Sequence, residues 1–251
     1  MISDQQLLRY SRQVMLPGFD VAGQQRLLDS CVLIVGLGGL GSPAALYLAA
    51  AGVGRLLLAD DDVVELSNLQ RQLAHTEADL GSNKADSAAA TIAAMNSDTQ
   101  VTVIRQRLAG DSLSEQVAAA DLVLDASDSF ATRLALNAAC IAQGRPLVSG
   151  AAVRSEGQVA VFDSRRGTAC YRCVYPQGEQ DEDLSCSESG VLAPIVGIIG
   201  SMEALEAVKL LAGFGEPLLG RMLLLDGWSM QSRVITLQKN PDCQACSSDR
   251  R

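Results

Sequence analysis

Three groups of residues in this sequence have types and spacings that suit chemistry. Gly36 to Gly41 contains four glycines directly after a short apolar run. Ser67 to Gln72 gathers amides, a hydroxyl and a guanidinium, and Lys84 follows. The last group is a set of two Cys-x-x-Cys pairs, Cys170/Cys173 and Cys243/Cys246. The first group suits an anion, the second adds positive and polar donors to it, and four thiolates suit one tetrahedral metal ion.

The glycine-rich segment predicts a nucleotide-binding loop. Glycines after a strand leave backbone N–H groups open to a phosphate, and the next helix turns its positive N-terminus to the same place. The candidate ligands in this loop are Gly36, Gly38, Gly39 and Gly41. Asp60 ends a second predicted strand about twenty residues on, where a carboxylate can accept hydrogen bonds from ribose hydroxyls. An NAD-dependent oxidoreductase has the same pairing, so these residues alone leave both nucleotides open.

The polar cluster of Ser67 to Gln72 and Lys84 favours ATP over NAD. A triphosphate needs several positively charged donors, whereas hydride transfer needs a site from which water is excluded. Asp128 follows another predicted strand, and Mg²⁺ prefers carboxylate oxygens. In the alternative interpretation the cations are solvated surface charges and Asp128 caps a helix. The joint arrangement favours a nucleotide site, whose candidates beyond the glycines are Asp60, Ser67, Asn68, Leu69, Gln70, Arg71, Lys84, Ser127 and Asp128.

The cysteine pairs predict a structural zinc site, because four thiolates at about 2.3 Å fill the coordination shell of Zn²⁺. The pairs are roughly seventy residues apart, which indicates a clasp between the C-terminal tail and an earlier segment. Redox-active pairs are the rival interpretation, but neither pair has the βαβ setting of a thioredoxin motif. Cys31 and Cys140 lie in apolar surroundings and are expected in the core.

Charge and composition limit the partners of this chain. The formal net charge is −9, which argues against nucleic acid, since that affinity depends on clustered Lys and Arg. The first residues lack a basic segment leading into an apolar run, so we expect a cytoplasmic protein. The uncharged stretch from Cys31 to Gly54 is long enough to span a bilayer. Its glycines and Pro43 instead favour a buried strand followed by a helix, and we expect no membrane contact.

The elements that position these residues alternate in type along the chain. Apolar strands are predicted over 31–36, 55–60, 101–104, 121–125 and 146–149. Helices are predicted over 42–51, 82–95 and 112–119. The alternation predicts an α/β fold that is Rossmann-like and doubly wound, with a mostly parallel sheet.

The 251 residues are expected to form one domain, since a chain of this length can bury an ample core. We divide it into a helical arm (1–29), a nucleotide-binding half (30–150) and an extension (151–251). The extension is predicted to hold a largely buried helix over 195–211 and smaller antiparallel strands over 158–162, 221–226 and 233–237. Between 176 and 188 the sequence is polar and acidic, which predicts a mobile loop that carries Cys186.

Together these motifs resemble the MoeB/ThiF adenylyltransferases, which are relatives of ubiquitin-activating enzymes. The resemblance spans nearly the whole chain and rests on the glycine loop, the cysteine pairs, the loop with Cys186, Arg9 to Gln13 and Leu66 to Gln72. It implies that ATP and Mg²⁺ are bound by Gly39, Asp60, Asn68, Arg71, Lys84, Ser127 and Asp128. It also implies a homodimer in which Arg12 reaches into the neighbouring subunit's site. The family commonly has Thr-Asp-Asn where this chain has Ser127-Asp128-Ser129.

By this resemblance, the substrate is a small ubiquitin-like sulfur carrier protein ending in Gly-Gly, whose terminal carboxylate attacks the α-phosphorus of ATP. Residues 148–152 resemble the molybdopterin branch and residues 58–62 the thiamine branch, and we favour the former slightly. In thiamine-branch relatives the cysteine matching Cys186 takes part in sulfur transfer, whereas in molybdopterin-branch relatives it is dispensable. The acidic neighbours of Cys186 would raise the pKa of its thiol. The sulfur atom is expected to come from a separate donor protein.

Overall fold

An eight-stranded sheet runs through the part of the chain that the computed structural model describes, residues 2–176 and 189–247. Its strands are β1 (Cys31–Val35), β2 (Arg55–Ala59), β3 (Gln100–Ile104), β4 (Leu122–Asp125), β5 (Leu147–Val153), β6 (Glu156–Phe162), β7 (Arg221–Asp226) and β8 (Gln231–Thr236). Their spatial order is β3-β2-β1-β4-β5-β6-β7-β8. The described helices are α1 (Asp4–Arg9), α2 (Ser11–Val14), α3 (Asp20–Asp29), α4 (Gly41–Ala51), α5 (Lys84–Met95), α6 (Gly110–Ala119), α7 (Phe130–Gln143), α8 (Tyr171–Val174) and α9 (Ala193–Ala212).

The first five strands are parallel and the last three add to the same sheet in antiparallel pairs. From β1 the chain proceeds outward through β2 and β3 and then returns to place β4 on the other side of β1. In open α/β sheets, ligands bind at the carboxyl ends of the strands beside this reversal. The predicted Rossmann-like, mostly parallel sheet with an antiparallel extension is confirmed.

Both faces of the central strands β1, β2 and β4 are covered, which explains their apolar runs. All five residues of β1 are buried. Val32 and Ile34 belong to one core cluster, and Leu33 and Val35 belong to the cluster on the opposite face, as the alternation of side chains along a strand requires. The long helix α9 packs against α3, α4 and β5, so the C-terminal part of the chain closes one of the two cores.

The β5–β6 hairpin is longer than the sequence predicts. β5 continues to Val153 rather than ending at Ser149, and β6 begins at Glu156. The small residues Gly150, Ala151 and Ala152 have little strand propensity of their own, so their extended conformation depends on pairing with β6. Arg154 makes the turn with a φ of 54°.

The helical arm is docked onto the end of α4. The carbonyl of Ala51 accepts hydrogen bonds from Gln13 Nε2 and Gln24 Nε2, each at 2.9 Å. Tyr10 is buried, and its phenol oxygen accepts from Asn96 Nδ2 at 2.9 Å. The predicted break at Pro17-Gly18 separates α2 from α3. These contacts fix the arm against the nucleotide-binding half.

The described helices include none whose length and hydropathy would suffice to cross a bilayer. The uncharged stretch from Cys31 to Gly54 forms β1, the glycine loop and α4, as the sequence predicts. The predicted loop over 176–188 lies outside the described residues, apart from Pro176.

Glu203 of α9 places a carboxyl group in the core. The residue is 0% exposed, and beyond the backbone of Gly150 its carboxyl oxygens have no hydrogen-bond partner among the described residues. It fits only because residue 150 is a glycine, since a Cβ there would lie 2.4 Å from Glu203 Cδ. Burial, and then the charge of Asp125, raise the pKa of Glu203 well above its usual value. The folded chain therefore favours the neutral acid.

We expect Glu203→Gln to stabilise the chain at neutral and alkaline pH by roughly 1–3 kcal/mol, because each unit of pKa shift between the unfolded and folded chain costs the wild type about 1.4 kcal/mol there. The raised pKa means that the folded wild type binds a proton that the unfolded chain has released. Wild-type stability therefore falls as pH rises from about 4.3, the unfolded pKa, through the folded value. Glutamine has no such proton, so urea unfolding at several pH values should show a flatter profile.

Glu206→Gln, on the same helix, is the matched control. Glu206 Oε2 accepts from the backbone N–H of Leu218 at 2.7 Å, and the carboxylate pairs with Lys209. This change should lower the unfolding free energy and leave the alkaline fall in place. Parallel pH profiles for wild type and Glu203→Gln would contradict the assignment.

Candidate active site

A cavity of about 1120 Å³ opens at the carboxyl ends of β1, β2 and β4 and extends over β5 to β8. It therefore lies at the reversal in strand order. The predicted nucleotide residues that line it are Gly36, Gly38, Gly39, Asp60, Arg71, Lys84, Ser127 and Asp128. A single cavity thus brings together the glycine loop, the two cations and the acid that are far apart in sequence.

The glycine loop is shaped by two close backbone approaches. Gly36 has a φ of 89°, and a Cβ there would lie 2.8 Å from the carbonyl oxygen of Ala126. A Cβ on Gly41 would lie 1.9 Å from the carbonyl oxygen of Gly36. Gly41 therefore serves packing, and it does not line the cavity. Helix α4 begins there without a side-chain cap, which leaves its positive N-terminus available to an anion.

Leu37, inside the loop, is held from both sides. Its N–H donates to Asp60 Oδ2 at 2.7 Å, and its carbonyl accepts from Ser42 Oγ at 2.9 Å and from His75 Nε2 at 3.0 Å. His75 Nδ1 lies 2.8 Å from Ser87 Oγ. Burial raises the pKa of Asp60 and lowers that of His75. The only histidine of the sequence thus supports the loop through its contacts to Leu37 and Ser87.

The two predicted cations reach the cavity with their charges held by short local contacts. Lys84 is 7% exposed, and its Nζ donates to Asp62 Oδ2 at 2.9 Å. Arg71 is half-buried, and its Nη1 donates to the carbonyl of Ser67 at 3.0 Å. Asp62 is largely exposed, so water can solvate it if Lys84 turns to a phosphate. The interpretation of Lys84 as a solvated surface charge is therefore wrong.

Asp128 lies exposed at the cavity wall, between β4 and α7. The N-cap of α7 is Ser129, whose Oγ accepts from the N–H of Thr132 at 3.4 Å. Asp128 therefore does not cap the helix. Behind it, the buried Asp125 accepts from Ser127 Oγ at 2.6 Å and from Ser149 Oγ at 3.1 Å. This fixes the backbone that carries Asp128.

Several predicted residues lie outside the cavity wall. Asn68 is buried beside it, and its Oδ1 accepts from the N–H of Glu65 at 3.2 Å. Arg12 is exposed on α2. The other predicted residues absent from the wall are Gly41, Ser67, Leu69 and Gln70. Cys186 lies outside the described residues.

The structure adds cavity residues that the sequence reasoning missed. Arg133 of α7 lines the wall, and its Nη2 donates to the carbonyl of Ser127 at 2.7 Å. Burial disfavours the charge of Arg133, but Asp125 and Tyr171 raise its pKa above the usual value. Further additions to the wall are Gln72, Arg107, Tyr171, Tyr175 and Arg233. An arginine one turn into a helix that follows Ser127-Asp128-Ser129 is the signal that could have identified Arg133.

The four predicted metal ligands meet at one point. The Sγ–Sγ distances are 3.8 Å for Cys170–Cys173, 3.7 Å for Cys170–Cys243 and 3.5 Å for Cys173–Cys246. Zinc–sulfur bonds of about 2.3 Å in a tetrahedron place sulfur atoms about 3.8 Å apart, so the donor set fits Zn²⁺. Burial raises the pKa of Cys170 to about 11, and a bound cation would hold it as a thiolate at neutral pH.

Comparison with known proteins finds relatives that match nearly the whole chain. The chain is 48% identical to a molybdopterin-synthase adenylyltransferase of Escherichia coli K12, over 98% of both chains. It is 47% identical to a sulfur carrier protein ThiS adenylyltransferase of the same organism, over 98% of this chain and 97% of that one. A crystal structure of PaaA superposes with a TM-score of 0.81 and 26% identity, over 95% of this chain and 75% of that one.

The model of the ThiF family matches residues 10–245. This range begins in the helical arm and ends one residue before Cys246, the last cysteine of the second pair. It therefore includes the cavity and three of the four thiolates, with Cys246 directly after it. Because this span is most of the chain and its full-length relatives are adenylyltransferases, the protein is an adenylyltransferase that belongs to the ThiF family.

Proposed function

We propose that this chain uses ATP to adenylylate the C-terminal glycine carboxylate of a small ubiquitin-like sulfur carrier protein for molybdopterin cofactor biosynthesis. The carboxylate oxygen attacks the α-phosphorus, the bond from that phosphorus to the β-phosphate bridging oxygen breaks, and pyrophosphate leaves. The product is an acyl-adenylate. The observation that carries the proposal is the cavity at the strand-order reversal, where Arg71, Lys84 and Asp128 face the glycine loop.

A cationic cavity suits this reaction because both reactants are anions. The attacking carboxylate is already ionised at pH 7, so no strong general base is needed. Catalysis then consists of alignment and charge neutralisation. The N-terminus of α4 and the loop N–H groups other than those of Gly36 and Leu37 face the phosphates, and Arg71 and Lys84 supply positive charge. Asp60 remains the candidate for the ribose hydroxyls, since it also lines the cavity.

Asp128 is the residue proposed to hold Mg²⁺, which would neutralise the phosphates when bound. Its carboxylate is exposed toward the cavity and is not committed to capping α7. A hard cation prefers such oxygen ligands. Ser127 and Asp125 contribute by holding the turn that presents Asp128.

The other end of the cavity suits an extended peptide tail. This end is formed by the antiparallel strands. Its wall includes Gly157 and Gln158 of β6 and Leu224 and Leu225 of β7. A tail that ends in Gly-Gly is narrow enough to lie along such a wall and reach the phosphates. The cavity thus has one end for each reactant.

A homodimer is proposed because Arg12 is exposed on α2 and does not line the cavity of its own chain. It has exposed apolar neighbours on the arm, Leu8, Met15 and Leu16. Exposed apolar groups of this kind are typical of interfaces when they cluster. In the dimer, the positive charge of Arg12 would lie beside the phosphates bound by the partner subunit.

The sulfur atom would be delivered by a separate donor protein. Cys186 would take part only if sulfur transfer passes through this chain.

The experiment is to incubate the purified chain with ATP and each of the two carrier proteins, and to detect the acyl-adenylate by mass spectrometry. The proposal expects adenylate with the molybdopterin carrier and less with the thiamine carrier. The identities of 48% and 47% do not separate the two carriers, so the thiamine carrier is the alternative substrate. Adenylate with neither carrier, or NADH binding without ATP turnover, would overturn the proposal.

A further inference from the structure

The four-thiolate site is connected to the cavity by a side chain that has no part in the proposed chemistry. Asn137 of α7 is 2% exposed. Its Nδ2 donates to Cys170 Sγ at 3.8 Å, and its Oδ1 accepts from the N–H of Tyr171 at 2.9 Å. One amide thus contacts a metal ligand and fixes the first residue of α8.

Tyr171 carries this connection to the cavity wall. Its ring lies 4.7 Å from that of Tyr175 and 5.8 Å from those of Phe130 and Phe162, measured between centroids. The Arg133 guanidinium donates to its phenol oxygen. Both tyrosines and Phe130 line the cavity.

Two residues of helix α7 contact Tyr171. Arg133 and Asn137 are four residues apart and therefore lie on the same face of the helix. Asn137 holds the backbone of Tyr171, and Arg133 holds the phenol. Arg133 also donates to the carbonyl of Ser127, the residue before Asp128. The path from Cys170 to the cavity thus consists of contacts between adjacent groups.

We propose that Asn137 and Tyr171 are positioning residues that couple metal occupancy of the four-thiolate site to nucleotide binding in the cavity. A metal-bound thiolate accepts the Asn137 N–H···S bond more strongly than a neutral thiol does, and such outer contacts typically orient metal ligands. This holds Tyr171 against Arg133, and Arg133 against Ser127. The proposal rests on the proposed function for the identity of the nucleotide, ATP.

The first test measures transfer of Zn²⁺ from metal-loaded protein to a chromogenic chelator. Asn137→Asp keeps an acceptor for the Tyr171 N–H but removes the donor to Cys170. We expect it to release zinc about 10-fold faster or more, as for other outer-sphere partners. Asn96→Asp is the matched control, because Asn96 is also buried and donates to Tyr10 and Ala49 instead. Equal release from the two variants and wild type would overturn the proposal, as would equal acceleration in both.

The second test uses the reciprocity of coupled binding. In wild type, saturating ATP should raise the chelator concentration that removes half of the zinc, by roughly 5-fold or more. Tyr171→Phe keeps the backbone contact to Asn137 but loses the phenol contact to Arg133. We expect it to retain zinc as wild type does and to lose the ATP effect. An undiminished ATP effect in Tyr171→Phe would overturn the coupling.

The two proposals fail differently. Absence of acyl-adenylate with both carriers, together with an ATP-dependent shift in zinc retention, would remove the proposed function and leave the coupling. Adenylate formation with no ATP effect on zinc would remove the coupling alone. The Asn137→Asp comparison requires neither ATP nor a carrier, so it tests the metal end of the path in every case.

Discussion

Asp128→Ala is expected to reduce carrier-dependent ATP–pyrophosphate exchange by about 10³-fold or more, the scale for removing a group that neutralises transition-state charge. The carboxylate is exposed in the cavity wall, and its removal leaves the serine cap of α7 intact. The fold should therefore survive, with unfolding free energy within about 0.5 kcal/mol of wild type. Exchange of labelled pyrophosphate into ATP measures the effect.

Asp98→Ala is the matched control for this experiment. Asp98 precedes β3, so it lies at the amino end of the parallel strands, opposite the cavity. Its removal should leave exchange unchanged. Wild-type exchange in Asp128→Ala would exclude Asp128 from the site, and the assignment of Mg²⁺ to this residue with it.

The parallel half of the fold could be predicted from the sequence because its signals are local. The strands β1, β2 and β4 are short, largely apolar runs, and the glycines of the loop mark the end of β1 and the start of α4. Burial on both faces requires such runs. The type of each element and the order of the elements could therefore be predicted from the sequence. The strands next to the extension were harder to predict, because Gly150 to Ala152 form a strand only through pairing with β6.

The site was predictable in so far as its residues stand directly after predicted strands. Asp60 and Asp128 follow β2 and β4, and the carboxyl ends of parallel strands meet at one edge of a sheet. Arg133 was missed because its role depends on a side chain that folds back to Ser127. Tyr171 reaches the cavity from about forty residues further along the chain, through contacts that no periodicity encodes.

The polar cluster divides into residues that line the cavity and residues that do not. Ser67 to Gln70 stand next to Arg71 in sequence and follow or form the short helical turn at Leu66–Asn68, but they do not line the cavity. Asn68 instead holds the backbone of Glu65. A contiguous motif therefore contains both groups that face the cavity and groups that shape the turn, and the three-dimensional structure is needed to separate them.

Cys243→Ser is expected to cause the largest loss of stability. It removes one of four sulfur ligands from a site that ties residues near the C-terminus to the start of α8. Metal that binds only the folded chain stabilises it by about 4 kcal/mol when its free concentration is a thousandfold above Kd. For a chain of this length that corresponds to a fall in Tm of roughly 10 °C. Thermal unfolding followed by circular dichroism measures it.

A chelator distinguishes loss of metal from ordinary core damage. It should lower the Tm of the wild type by nearly the same amount and leave that of Cys243→Ser almost unchanged, because the two treatments remove the same stabilisation. Cys140→Ala is the control: Cys140 is a buried cysteine outside the cluster, so this variant should lose a little stability and keep its full response to the chelator. A chelator response that persists in Cys243→Ser would show that these thiolates do not hold the ion.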